Sequence, residues 1–253
     1  QDDKVDEVDR EELATLMREK HYDQEYSEEE LAILKRGAGF FKDVKENPNL
    51  SHLQSRDPLV SLRTVHLDDD SIASGIAQAT IDTSLDEAAA YEYLKTTREG
   101  MRTHLEKGGI EKFVRYINDH SQYYVQSRDL KIPGFGPREW RSRLIWRREG
   151  SDRIVIVYED TKDLDNEMVM KSSHALASAR SVWAFERLPS LCGIPQTRVS
   201  FAFRVDIAIR LPKFAMDIQA RSYTKNLTSM RKKFDKSLEV DKARRAELVP
   251  KIE

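Results

Sequence analysis

Arg138, Arg141, Arg143, Arg147 and Arg148 crowd one stretch of the chain on either side of Leu144 and Trp146. If this stretch is a strand, period-two alternation turns Leu144 and Trp146 inward and sends the odd-numbered arginines outward. Two readings then stand: a solvated outer sheet face, which is what most charge runs are, or a surface that attracts anionic headgroups. Neither is catalysis. His66, His104, His120 and His174 fall on separate elements without a spacing that implies a shared site, and an isolated histidine is more often satisfied or exposed than catalytic. The sequence has no Gly-rich phosphate loop, nucleophile elbow or metal-ligand pair. We therefore expect no catalytic residue, no metal and no cofactor.

The chain has 253 residues, 39% hydrophobic and 34% charged, which suits a soluble domain with one substantial core plus an appendage. No stretch approaches the roughly 20 apolar residues that span a bilayer. The N-terminus, Gln1-Asp2-Asp3, has neither methionine nor a basic-then-apolar signal pattern, as expected of an internal piece of something longer. Cys192 is the single cysteine, so no internal disulfide can form, and that favours a reducing compartment. Residues 1–30 hold 13 Asp/Glu against 4 Lys/Arg, while residues 213–253 hold 11 Lys/Arg against 6 Asp/Glu. The ends either form solvated helix surfaces or attract each other or separate partners. An acidic leader argues against nucleic acid, whose binding modules carry a domain-wide basic excess.

The elements that must position any site can be read in order. Residues 1–27 are polar with a sparse apolar series, Val5, Val8, Leu13, Leu16 and Met17, that predicts one marginal helix. Ser27 followed by Glu28, Glu29 and Glu30 starts a helix whose stripe, Leu31, Leu34, Phe41 and Val44, should pack on the main domain before Asn47-Pro48 stops it. Residues 60–67 and 71–82 read as a hairpin about Asp68-Asp69-Asp70. Ser84 with Glu87 is a capping box opening a helix over 85–98, and a second short helix over 101–107 stops at Gly108-Gly109.

Strand signals run from residue 110 to 210, broken at Lys131-Ile132-Pro133-Gly134-Phe135-Gly136-Pro137. Pairs of strands flank Asp119-His120 and Glu149-Gly150-Ser151-Asp152, and two longer strands follow over 174–187 and 197–210. In the last, Val199, Phe201, Phe203, Val205, Ile207 and Ile209 alternate with Ala202, Arg204, Asp206, Ala208 and Arg210, which predicts one buried and one wet face. Trp183 and Phe185 should join Phe201, Phe203, Val205 and Ile207 on that buried face. A long helical segment over 212–236 closes the chain. Leu211, Phe214, Ala215 and Ile218 form one apolar strip and Met216, Tyr223, Leu227, Met230 and Phe234 another, broad enough to cover a cavity as well as a sheet.

This order of elements resembles the START family, the steroidogenic acute regulatory protein-related lipid transfer domains, within the Bet v 1-like helix-grip superfamily. The best local match is Leu130-Lys131-Ile132-Pro133-Gly134-Phe135-Gly136-Pro137-Arg138-Glu139-Trp140, with Glu139 for the family's usual aspartate and Trp140 for its phenylalanine. The segment from Gly75 to Ala90 is similar to the family's passage from strand to helix. The chain departs from the family where many members carry an Arg/Trp-Asp pair: it reads Lys95-Thr96-Thr97-Arg98-Glu99-Gly100.

The resemblance implies an α+β helix-grip fold, a curved antiparallel sheet wrapped around a long C-terminal helix with two short helices inserted after the first strands. It implies three regions: an acidic helical extension over 1–54, a ligand-binding domain over 55–236, and a charged tail or helix continuation over 237–253. Its function would be non-enzymatic binding of a lipid or other apolar small molecule for transfer or sensing. Leu144, Trp146, Trp183, Phe185, Phe201, Phe203, Val205, Ile207, Phe214 and Ile218 would line the cavity, and Pro133, Gly134, Phe135 and Gly136 would gate it. The expected location is cytoplasmic, with transient contact with anionic membrane surfaces and a protein partner on the acidic N-terminal segment as further expectations. The alternative is an interaction module with a filled core.

Overall fold

Two Ser-x-x-Glu boxes set where the early helices begin. The computed structural model describes residues 2–19, 24–66, 72–132, 134–167, 174–208 and 213–249, and the backbone alone for 2–9, 66, 72–73, 213–216 and 219. Helix α1 spans Asp2–Glu19 and α2 spans Glu28–Glu46. At the start of α2 the Ser27 hydroxyl accepts the Glu30 N–H at 3.2 Å, while the Glu30 carboxylate accepts the Ser27 N–H at 2.9 Å. Ser84 and Glu87 repeat the arrangement at α3 (Leu85–Tyr93). The helix expected over 85–98 ends early because Thr97 caps a new one, α4 (Arg98–Glu106), its hydroxyl accepting the Gly100 N–H at 2.9 Å.

Ten strands form one sheet: β1 (Ser51–His52), β2 (Ser61–His66), β3 (Ile72–Ile81), β4 (Gly109–Asn118), β5 (Ser121–Arg128), β6 (Arg138–Glu149), β7 (Arg153–Asp160), β8 (Ala175–Leu176), β9 (Ser178–Leu191) and β10 (Ile194–Asp206). Their order is β1-β2-β3-β10-β9-β7-β6-β5-β4, antiparallel throughout, with β8 added parallel to β6. The tip of the β2–β3 hairpin, Asp68-Asp69-Asp70, lies outside the described residues.

Alternation sorts the side chains onto two covered faces. Leu144, Trp146, Ile154, Ile156, Trp183, Phe185, Val199, Phe201 and Phe203 point to an inner face shared with α3 and the C-terminal helices. Ile145, Val155, Val157, Val182, Ala184 and Ala202 point to an outer face, where α2 lays Ile33, Leu34, Phe41 and Val44 on them. The expected wet face of the last strand is therefore wet at Arg198 and Arg204 and buried at Ala202, because α2 crosses it. Helix α1 is more than an appendage. It packs on α3 and α4, with Ala14 and Met17 entering the inner core.

Covering the outer face also corrects the reading of the arginines. Arg143 is buried, donating to Glu29 at 2.6 Å and Glu30 at 3.2 Å on α2. Arg138 donates to the Ile207 carbonyl at 2.8 Å, Arg141 to Glu139 at 2.6 Å, Arg147 to Glu149 at 2.9 Å, and Arg148 pairs with Asp86. These five bind the chain to itself rather than standing as a free row.

The closing helix is broken into α5 (Lys213–Tyr223), α6 (Lys225–Lys233) and α7 (Ser237–Leu248). At the first break the Thr224 hydroxyl donates to the Arg221 carbonyl at 2.8 Å, a side-chain bond that competes with the helix ladder. At the second, the Asp235 carboxylate accepts the Ser237 N–H at 3.0 Å, two residues on, in a local turn that precedes α7, whose N-cap Lys236 has no side-chain cap bond. The α+β helix-grip arrangement stands, with its grip in segments.

Candidate ligand-binding cavity

One row of inner-face side chains runs Trp146, Ile156, Trp183, Phe201, Ala77 and Leu62 across β6, β7, β9, β10, β3 and β2, as the strand registers align them. The indole of Trp183 stacks on Phe201 at 4.2 Å, Phe201 on Phe203 at 5.3 Å, and Phe203 meets Tyr223 of α5 at 5.5 Å. Towards the start of β6 and of β9 the inner face turns small or polar, at Ser142, Ala179 and Ser181. There the interior stays open. A cavity of about 760 Å³ is floored by these residues, walled by Trp183, Phe201, Phe203 and Val205, and roofed by α5 and α6. Residues 105–110, Leu130, Lys131 and Ile218 also line it.

The wall opposite the aromatics carries charge. Glu92 of α3, buried, accepts the Tyr158 hydroxyl at 2.5 Å and the Lys95 ammonium at 2.6 Å. Burial first and the Glu92 charge second push the Tyr158 phenol well up, which keeps it a hydrogen-bond donor. On β5, Tyr124 and Arg128 both donate to Gln126 Oε1 at 3.1 Å. Burial, with Arg128 and Lys225 nearby, pushes the Lys107 ammonium down to about 8; burial, with Lys95 nearby, does the same to Lys112. His104, donating through Nε2 to the Glu111 carbonyl at 3.1 Å, is held down at about 4 by burial and by Arg128. It stays neutral at pH 7. Among the described residues no group of His, Cys, Asp and Glu could hold a metal, and no helix is long and apolar enough to cross a membrane.

Of the side chains expected to line the cavity, Trp183, Phe201, Phe203, Val205 and Ile218 border it. Leu144, Trp146 and Phe185 do not: they are fully buried where Ala88, Ala89 and Ala90 let α3 press onto the sheet and fill its interior. Ile207 lies past the rim, packed with Trp140, Leu130 and Ile132. The side chain of Phe214 and the whole of Pro133 lie outside the described residues. Gly134, Phe135 and Gly136 are exposed and off the cavity wall; Phe135 lies under the Arg138 guanidinium at 5.9 Å. Their neighbours Leu130 and Lys131 do line the cavity. The sequence reading missed the charged wall, although Tyr124, Gln126 and Arg128 at every second position of a strand, with Lys112 paired to Gln126 across it, mark a polar inner face.

No protein-family model matches the chain, and no curated protein matches it in sequence. Solved structures do match it. Human StAR-related lipid transfer protein 5 aligns at 13% identity with a TM-score of 0.60, over 81% of this chain and 98% of that one. The chain has the START fold. A STAR-related lipid transfer protein fragment from Xanthomonas axonopodis aligns to this START-fold chain at 11% identity with a TM-score of 0.59, covering 74% of it and 98% of the fragment. The lipid transfer and protein localization domain of human StarD13 (DLC2) gives 13%, 0.56, 84% and 100%. The START fold accounts for the sheet, the inserted helices and the closing helices.

Proposed function

We propose that this START-fold chain binds a lipid or similar amphiphile, without chemistry on it, in the cavity between β9, β10 and the α5–α6 roof. The observation that carries the reading is an open interior of about 760 Å³ with a stacked aromatic wall, within the 300–1,000 Å³ range of small-molecule sites. Burying the ligand's apolar surface would drive uptake at roughly 25 cal/mol per Å², and the Glu92, Lys95 and Arg128 wall would fix its polar end. The match to lipid transfer domains supports the same reading at the level of fold. Residues 55–236 would be the binding unit, with α1 bracing it through α3. Access would come by parting Ile218 of α5 from Leu130 and Lys131.

The test is native mass spectrometry of the purified chain after incubation with mixed-lipid vesicles. One lipid retained per chain is expected. Failure to take up any lipid or apolar probe would overturn the reading in favour of an interaction module.

A further inference from the structure

We propose that the end of the cavity bounded by Lys107, Lys112 and Arg128 is a site for the phosphate headgroup of an amphiphile whose chains lie along Trp183, Phe201 and Phe203. The proposal deepens the reading above and rests on it.

The charge at this end does not balance. Lys95 is neutralised by Glu92 at 2.6 Å, Glu99 pairs with Arg10 at 3.7 Å and Lys233 at 3.3 Å, and Asp129 is taken by Lys131 at 2.7 Å. Among the described residues that leaves Lys107, Lys112 and Arg128 without a carboxylate in salt-bridge reach, with Glu92 acting on both lysines and Glu106 on Lys107 from farther off. Lys107 has neutral partners, Asn226 at 3.3 Å and Ser229 at 3.4 Å, and Arg128 has Gln126, while its buried Nε has no partner. The cations are also close together. The ammonium groups of Lys95 and Lys112 both lie over the Tyr124 ring, at 5.9 and 5.8 Å, and Arg128 follows four residues after Tyr124 on the same strand face.

Burial strips these ammonium groups of hydration and the neighbouring cations repel them, which together push both lysines down to about 8. An anion removes that penalty. There is room for one: a side pocket of about 100 Å³ shares Glu92, Lys95, Lys107, Tyr124 and Arg128 with the main cavity and adds Lys112, about three waters' worth of space. A guanidinium fork with two ammonium groups suits the several oxygens of a phosphate. A quaternary ammonium placed there would meet like charge.

The experiment loads the chain from phosphatidylcholine vesicles carrying equal fractions of phosphatidic acid and of diacylglycerol with the same acyl chains. Native mass spectrometry reads the ratio bound. We expect at least ~10-fold preference for phosphatidic acid, because a charge-assisted hydrogen bond contributes a tenfold factor or more, and we expect Lys112→Met and Arg128→Gln each to drive the ratio towards one. Equal retention of the two lipids, or a preference untouched in both variants, would overturn the headgroup site and leave lipid binding standing. Retention of neither lipid would overturn both. Inorganic phosphate binding alone as tightly as phosphatidic acid, by calorimetry, would assign the site to free phosphate and overturn the lipid assignment.

Discussion

On the outer face of the sheet Arg143 meets Glu29 and Glu30 of α2 at 2.6 and 3.2 Å, and Glu30 also accepts from Asn118 at 3.1 Å and lies 3.3 Å from His120. On the inner face Lys107, Lys112 and Arg128 share a pocket with Glu92 and Glu99, and among the described residues no carboxylate comes within salt-bridge reach of the three. Both faces bury charge in the same sheet. The difference lies in what surrounds it: the outer cluster is closed by a helix whose aliphatic stripe fills the remaining space, and the inner one opens onto an empty volume. Closed, neutralised charge locks an element in place, whereas open, unbalanced charge costs stability.

Removing charge from each face should therefore have opposite signs. Arg143→Ala strands Glu30 in the interior and is expected to cost ~3–5 kcal/mol, the usual penalty for breaking a buried pair, measured by urea unfolding. A loss below about 1 kcal/mol would mean that the outer cluster is not a lock. The second test concerns the space beneath α2. A Cβ at Gly37 would stand 2.6 and 2.7 Å from the two γ-carbons of Val157, a stiff side chain held in the sheet, so Gly37→Ala should cost ~1–3 kcal/mol through overpacking. A neutral or stabilising result would show that the outer face is looser than its contacts indicate.

The inner face should respond the other way. Lys112→Met removes a buried charge without a counter-ion and is expected to raise stability by ~0.5–2 kcal/mol, the usual trade of binding function for stability. Destabilisation of the ligand-free chain would show that Lys112 has a structural role.

The smallest effects are in the pH profile. Burial alone would raise the Glu30 carboxyl, but the Ser27 N–H, Asn118 and His120 outweigh it and hold it at about 2. A carboxylate lowered on folding binds fewer protons than in the unfolded chain, so its contribution is full above about 4.5 and is lost as pH falls towards 2. For Lys107 and Lys112, lowered to about 8 by burial and by Arg128, Lys225 and Lys95 against the opposing pull of Glu92 and Glu106, the unfolded chain holds more protons between about 8 and 10.5. Stability of the ligand-free protein should rise across that window. Scanning calorimetry at intervals of pH separates the two arms. Loss of the acid arm in Glu30→Gln and of the alkaline arm in Lys112→Met would sharpen the comparison; an alkaline arm unchanged in Lys112→Met would break it.

Much of the fold was legible. Two capping boxes, the hairpin over 60–82 and the odd-position apolar series of β10 rest on local rules, and each is present where those rules put it. The outer helix was half-legible: Ile154, Val155, Ile156 and Val157 in unbroken succession, beside Leu144, Ile145 and Trp146, already call for a sheet covered on both sides. Of the site, the aromatic wall could be read from alternation, while Leu144, Trp146 and Phe185 obeyed the same alternation yet fell in filled core.

What the sequence determined by itself is which side chains face inward and where helices start, because both follow from backbone periodicity and from hydrogen bonds within a few residues. What the tertiary structure decided is where the inward space is left empty and which charges find partners. Those depend on how closely α3, with its alanines, approaches one end of the sheet, how far α5 and α6 stand off the other, and which residues distant in sequence come within a few ångströms. Glu30 and Arg143 are separated by 113 positions and neutralise each other, whereas Lys107, Lys112 and Arg128 lie much nearer in sequence and, among the described residues, make no salt bridge.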